Sequence, residues 1–150
     1  MLRKLMLLMT IMCLLIGSGC SSSTKSYTFN VETGDSIRIE LDTTGGAYDL
    51  KQEGGRFSIV STEDNEVLTQ GIFILPEYYE SYVESAKLFE YEWGSKDNNV
   101  HIFYEYFDDT HFENNYIVDI TDATVHIILA SVAEKDVAQE IFNLLTITAE

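Results

Sequence analysis

The sequence predicts an α+β fold, an antiparallel sheet with helices packed on both faces in a three-layer α-β-α sandwich. Three observations lead there. From Tyr27 onward apolar residues recur at every second position, the period of a strand with one buried face. That period gives way twice to a helical one, after Pro76 and after Ser131. The strands between those helices are apolar on both sides, so they need cover above and below.

The chain begins with a segment of another kind. Arg3 and Lys4 precede an apolar run over residues 5–16, and Gly17-Ser18-Gly19 lead into Cys20. A membrane-spanning helix needs about 20 apolar residues, so the run is too short to span. A buried helix would need neither the paired basic start nor the Gly-Ser-Gly-Cys end. The layout is that of a secretory signal peptide, and an ordinary cleaved signal is one reading of it. The segment also resembles the signal of bacterial lipoproteins, in which the cysteine is lipidated and becomes the mature N-terminus. That resemblance implies signal residues 1–19 and a diacylglyceryl thioether on Cys20, with or without a further amide-linked chain. It places the protein on a cell membrane or outer membrane, facing away from the cytoplasm, with the bilayer as a partner through the Cys20 acyl chains. Each buried methylene contributes about 0.8 kcal/mol, so two or more chains hold stably. Residues 20–24 then comprise the anchor and a short polar tether (Ser21, Ser22, Ser23, Thr24), and residues 25–150 a single domain.

Removing residues 1–19 leaves seven basic side chains against 25 acidic ones, a net charge of −18. Nucleic acid and anionic lipid headgroups both need basic patches, so neither is an expected ligand. Cations, cationic peptides and basic proteins are compatible. The plainest reading of the charge is solubility beside an anionic membrane. Cys13 falls inside the signal, which leaves Cys20 as the one mature cysteine. A disulfide, a cysteine nucleophile and a thiolate metal site within the domain are thereby excluded.

Element by element, Tyr27, Phe29 and Val31 alternate, and Thr33-Gly34-Asp35 turns the chain into Ile37, Ile39 and Leu41. Tyr48 and Leu50 suggest a third strand, residues 57–60 a fourth and residues 67–75 a fifth, giving a five-strand meander. Pro76 suits the first position of a helix, with Glu77 and Glu80 in the first turn and Tyr78, Tyr79, Tyr82, Val83 and Ala86 at helical spacing. Phe89, Tyr91 and Trp93 return to alternation, residues 94–99 make a hairpin turn, and strands follow at 100–107, 116–120 and 124–130. Ser131 and Glu134 predict a capping box for a helix whose apolar stripe runs Ala133, Val137, Ala138, Ile141, Phe142, Leu145. This order of elements resembles the PsbP-like fold of photosystem accessory proteins and bacterial envelope lipoproteins. The resemblance implies an α-β-α sandwich serving as a binding or accessory module, without a shared catalytic site or cofactor.

Two groups of residues are site candidates. Asp108, Asp109, His111 and Glu113 gather three carboxylates and an imidazole, donors suited to a divalent cation. Their spacing matches neither a calcium loop nor a zinc helix, and an acidic hairpin turn left in water is the favoured reading of them. Residues 62–66 are a weaker version of the same pattern. Tyr78, Tyr79 and Tyr82 occupy more than one helical face among Glu77, Glu80 and Glu84. They serve either as anchors for a protein or a cationic ligand, or as two core residues and one surface residue. His101 and His126 fall in strands, where one can orient toward the other across the sheet or simply be packed. Asp42-Thr43-Thr44-Gly45 is similar to the Asp-Thr-Gly of aspartic proteases, but the inserted threonine breaks the register and an Asx turn accounts for it.

The reading favoured by these residues is a membrane-anchored extracytoplasmic lipoprotein. It acts as a non-enzymatic binding or accessory module with an envelope protein or small ligand as partner. A metal-dependent hydrolase built on the acidic turn and a structural envelope spacer are the alternatives.

Overall fold

The computed structural model describes residues 22–150, so the signal segment and Cys20 lie outside the described residues. The period-two segments form β1 (Thr24–Asn30), β2 (Ser36–Asp42), β3 (Tyr48–Glu53), β4 (Arg56–Ser61) and β5 (Val67–Ile74). Helix α1 (Pro76–Ala86) precedes β6 (Tyr91–Lys96), β7 (Asn99–Phe107), β8 (Phe112–Asp119) and β9 (His126–Ser131). Helix α2 (Lys135–Leu144) and β10 (Leu145–Ala149) close the chain. The result is a mixed α+β fold with two antiparallel sheets, one ordered β1-β2-β10 and the other β3-β4-β5-β9-β8-β7-β6.

The expected five-strand meander is therefore split between sheets. Leu145-Thr146-Ile147-Thr148 alternates as a strand, pairs Leu145 with Leu41 and Ile147 with Ile39, and so occupies the edge of β2 that β3 would have taken. For the same reason Leu145 leaves the helical stripe expected to contain it, and α2 ends at Leu144. The helix also starts later than the Ser131–Glu134 capping box requires. Ser131 ends β9 and is buried, its hydroxyl donating to Leu68 O at 2.9 Å and accepting from Thr69 Oγ1 at 3.0 Å. Glu134 occupies the cap position without a side-chain hydrogen bond. The capping box is overturned because a buried hydroxyl partner on β5 claims the serine. β1 opens at Thr24, the last residue of the expected tether, and Ser23 O accepts from Thr43 N.

Two strand limits also move. β8 starts at Phe112 rather than near residue 116, because polar Asn114 and Asn115 are buried ladder residues, Asn114 Nδ2 donating to Ala133 O at 2.9 Å. β9 starts at His126 rather than residue 124. The amides of Thr124 and Val125 turn away to Asp35 Oδ2, each at 3.0 Å, where the hydroxyls of Thr33 and Thr124 also donate at 2.7 Å. Those donors hold the Asp35 carboxyl down at about 2 and tie the β1–β2 turn to the large sheet. Within residues 94–99 the turn itself is only Asp97-Asn98, both left-handed at φ 52° and 69°, the two-residue hairpin geometry that Asp and Asn tolerate.

The two helices lie against opposite faces of the large sheet. α1 opens with Pro76 at its first position and buries Val83 and Ala86 among Ile74, Ile102, Tyr104, Ile117 and Ile128. α2 buries Ile141 and Phe142 against Phe103, Tyr116 and Leu129 on the other side. There Phe142 stacks on Tyr116, with centroids 3.9 Å apart and planes at 10°. The small sheet joins α2 on that face, sending Phe29, Ile37, Ile39, Leu41 and Ile147 into the same core as Leu50, Phe57 and Ile59. Each such side chain contributes about 1.5–3 kcal/mol when fully buried. One face of the sheet is thus closed by a helix and three strands, the other by a single eleven-residue helix. Among the described residues no helix is long and apolar enough to cross a membrane.

Candidate functional site

The sparsely covered face carries the candidate site. Two clefts flank α1 and share Tyr82. The larger, about 600 Å³, lies between α1 and the end of β5, with Phe73, Leu75, Tyr78 and Tyr82 as walls and Glu32 at its edge. The serines facing it are committed to the helix backbone, Ser81 donating to Tyr78 O at 2.7 Å and Ser85 to Ser81 O at 2.8 Å. Its surface is more apolar than polar, with aromatic walls and one carboxylate.

The smaller cleft, about 200 Å³, opens over the strands that α1 leaves bare. Ile72 and Ile128 line it together with Tyr82, Tyr104, Tyr106, Glu113 and Asn115. Tyr106 donates to Asp108 Oδ2 at 2.9 Å. Tyr104 is only 7% exposed, and its hydroxyl has no protein hydrogen-bond partner among the described residues. Burial, then the nearby Glu113 carboxylate, pushes the Tyr104 hydroxyl up to about 12, so it stays neutral. Glu113 Oε1 lies 2.7 Å from His111 Nε2, and that contact raises the imidazole above its ordinary value.

The three tyrosines singled out by helical spacing separate by depth. Tyr78 is 55% exposed at the lip of the larger cleft. Tyr79 turns inward and stacks on His126, with centroids 3.8 Å apart and planes at 19°. Burial, then Asp119 and Glu80, raise the Tyr79 hydroxyl above its usual value. Tyr82 is half-buried between the clefts. Sequence reasoning missed Tyr104, Tyr106 and Asn115 as cleft residues. The available signal was that Tyr104 and Tyr106 fall on one face of a strand whose opposite face is also apolar.

The acidic turn is organised around itself. Asp108 Oδ1 accepts the amides of Thr110 at 2.9 Å and His111 at 2.8 Å, which lowers its carboxyl below the usual range. Asp109 is exposed, and Glu113 faces His111 and the cleft. Among the described residues no three His, Cys, Asp or Glu side chains converge as metal ligands. The two strand histidines lie on opposite faces and do not meet. His101 packs edge-on to Phe142 at 4.8 Å on the α2 side, where burial lowers its basicity. His126 stacks under Tyr79 on the α1 side, 3.1 Å from Asp119 Oδ1 but not aligned as a hydrogen bond. Both pair with the Val118–Asp119 end of β8, while Glu113 lies six residues earlier, about 20 Å along an extended strand.

A third cleft, about 450 Å³, sits on the α2 side at the edge strand β6, bounded by Trp93, Lys96, His101, Tyr116 and Phe142. Gly94 allows it: a Cβ there would stand 2.5 Å from His101 Nε2, so the imidazole lies directly over the bare backbone. Compared with family models, curated proteins and solved structures, the chain shows no match to any of them.

Proposed function

We propose that this chain is a membrane-anchored extracytoplasmic lipoprotein, tethered through Cys20, whose domain acts as a non-enzymatic binding or accessory module. One observation carries the binding reading: the open, aromatic-walled cleft of about 600 Å³ beside α1, with Tyr78 and Tyr82 on its wall and Glu32 at its edge. Concave sites lined by aromatic residues with few polar groups are the usual form of ligand pockets. The net negative charge and the carboxylate favour a basic or cationic partner. The basic start, short apolar run and Gly-Ser-Gly-Cys end support the anchor. In this reading the helices on opposite faces of the large sheet make a PsbP-like three-layer α-β-α sandwich, with the small sheet added beside α2.

The test uses the full chain in its own envelope, with photo-crosslinking from position 78. A crosslinked partner that Tyr82→Ser removes, without lowering the melting temperature, is the expected result. Crosslinks indifferent to Tyr82→Ser would support the spacer alternative instead.

A further inference from the structure

The smaller cleft shares Tyr82 with the larger one but has a chemistry of its own, which does not depend on the anchor. We infer that it is a binding site for a small organic ammonium ion, held among Tyr82, Tyr104 and Tyr106 with Glu113 as the charged partner. The lining comes from five elements, β5, α1, β7, β8 and β9, so it is built by tertiary packing rather than by one acidic stretch. Tyrosine rings attract cations through their negative faces, and the attraction grows as water is excluded. No lysine or arginine lines the cleft. Glu113 shares its carboxylate with His111, and the Asp108 carboxylate stands at the Tyr106 hydroxyl, so the acidic surroundings of the cleft still favour a cation over an anion.

The Tyr104 hydroxyl is the second observation that points to a ligand. Its side chain is 7% exposed, yet the hydroxyl opens into the cleft and makes no hydrogen bond to the described residues, so it is free to bond to an occupant. Lying near Glu113, a neutral phenol can accept a hydrogen bond from an N–H or O–H of the ligand, for choline its hydroxyl. Volume sets the size. At about 200 Å³ the cleft lies below the range of drug-sized pockets, so it fits one ammonium head with a short polar tail. Asn115, 2% exposed, places an amide at the floor for that tail.

Choline is the probe, titrated calorimetrically into the full chain in maltoside micelles. Its carbon isostere, with the quaternary nitrogen replaced by carbon, is the control for shape without charge. Wild type should bind choline saturably and ignore the isostere. Glu113→Gln should weaken choline about tenfold, a loss on the scale of one ionic contact at a partly exposed site. Tyr104→Phe removes one oxygen and no ring, and should weaken it by a smaller factor. Tyr78→Ser, which alters only the larger cleft, should leave choline affinity unchanged. Phosphatidylcholine vesicles that compete would assign the ammonium to a lipid headgroup, and vesicles that do not would assign it to a free solute. Absence of saturable choline binding, equal binding of the isostere, or full affinity in Glu113→Gln would each overturn the inference. Loss of binding in Tyr78→Ser alone would place the cation in the larger cleft and overturn it too. None of these outcomes bears on the envelope crosslink, so the two readings fail separately.

Discussion

Gly71→Ala isolates the packing of the shared core in one atom. Gly71 stands in the middle of β5, opposite Phe57 on β4 and Leu129 on β9. The Phe57 ring lies across the bare glycine: an added Cβ would stand 2.1 Å from Cζ and 2.4 Å from Cε1. Carbon atoms in good contact sit about 3.5–4.0 Å apart, so the ring must retreat by more than about 1 Å. It has little room, being 1% exposed and packed 5.8 Å from Phe29. Overpacking of this kind costs about 1–3 kcal/mol. The loss of glycine freedom from the unfolded chain returns about 0.4–1 kcal/mol. The expected result is a net destabilisation of roughly 1–2 kcal/mol, read from urea unfolding by circular dichroism. Combining it with Phe57→Leu, which shortens the ring's reach, should cost less than the sum of the single changes, with a coupling of about 0.5–3 kcal/mol. A Gly71→Ala chain as stable as wild type, or strict additivity in the double variant, would refute the close approach.

Three further outcomes follow from particular contacts. Ser131→Ala should cost about 1–3 kcal/mol by leaving the buried Thr69 hydroxyl without its acceptor, and the loss should shrink in a Thr69→Val background; equal losses in both backgrounds would contradict the pairing. The Asp35 carboxyl is depressed to about 2 from 3.8, so its stabilisation is present above the unfolded carboxylate range and lost as pH falls through about 2. The melting-temperature gap between wild type and Asp35→Asn should be full at neutral pH and close toward about 2, and a gap independent of pH would remove the clasp from the acid response. Cys20→Ala should leave the chain unlipidated and outside the detergent phase; membrane fractionation identical to wild type would end the anchor assignment.

How far the fold could be read from the sequence depended on whether a residue's neighbours were local. α1 announced itself because Pro76, Glu77 and the 78-79-82-83-86 spacing are short-range signals. Alternation in residues 37–41 and 100–107 likewise gave strands and their buried faces. Ser131 misled because a serine three residues before a glutamate is written the same way whether its hydroxyl caps a helix or crosses to Thr69, sixty-two residues away. β10 was hidden by its start: Leu145 completes a helical stripe, and only pairing with β2, a hundred residues earlier, makes it a strand. Asn114 and Asn115 disguised half of β8, since buried amides read as a loop until Ala133 O is seen as the partner of one of them. The site followed the same rule. Tyr78, Tyr79 and Tyr82 stood out on one helix, whereas Tyr104 and Glu113 meet only because β7 and β8 pair in the observed register.

Geometry explains why two of the clefts open beside α1. Seven strands spaced about 4.8 Å apart make a sheet roughly 29 Å across. On the α2 side a helix and a three-stranded sheet share that width, and Phe29, Ile39, Leu41, Tyr116 and Phe142 pack beneath them, leaving a cleft at the edge strand β6. On the α1 side an eleven-residue helix about 16 Å long and about 10 Å wide stands alone. Strands at its flanks keep side chains large enough to be buried, yet nothing covers them: Ile72 is 39% exposed, and Val100 is open as well. An undersized cover forces either polar residues onto the bare strands or a groove beside the helix. This chain has both, in Gln70, Glu113 and Asn115 on the floor and in aromatic residues on the walls. Lengthening α1 would cover the bare strands and add buried apolar area at about 25 cal/mol per Å². Tyr82, which borders both clefts, is accordingly the side chain whose change should separate binding from folding.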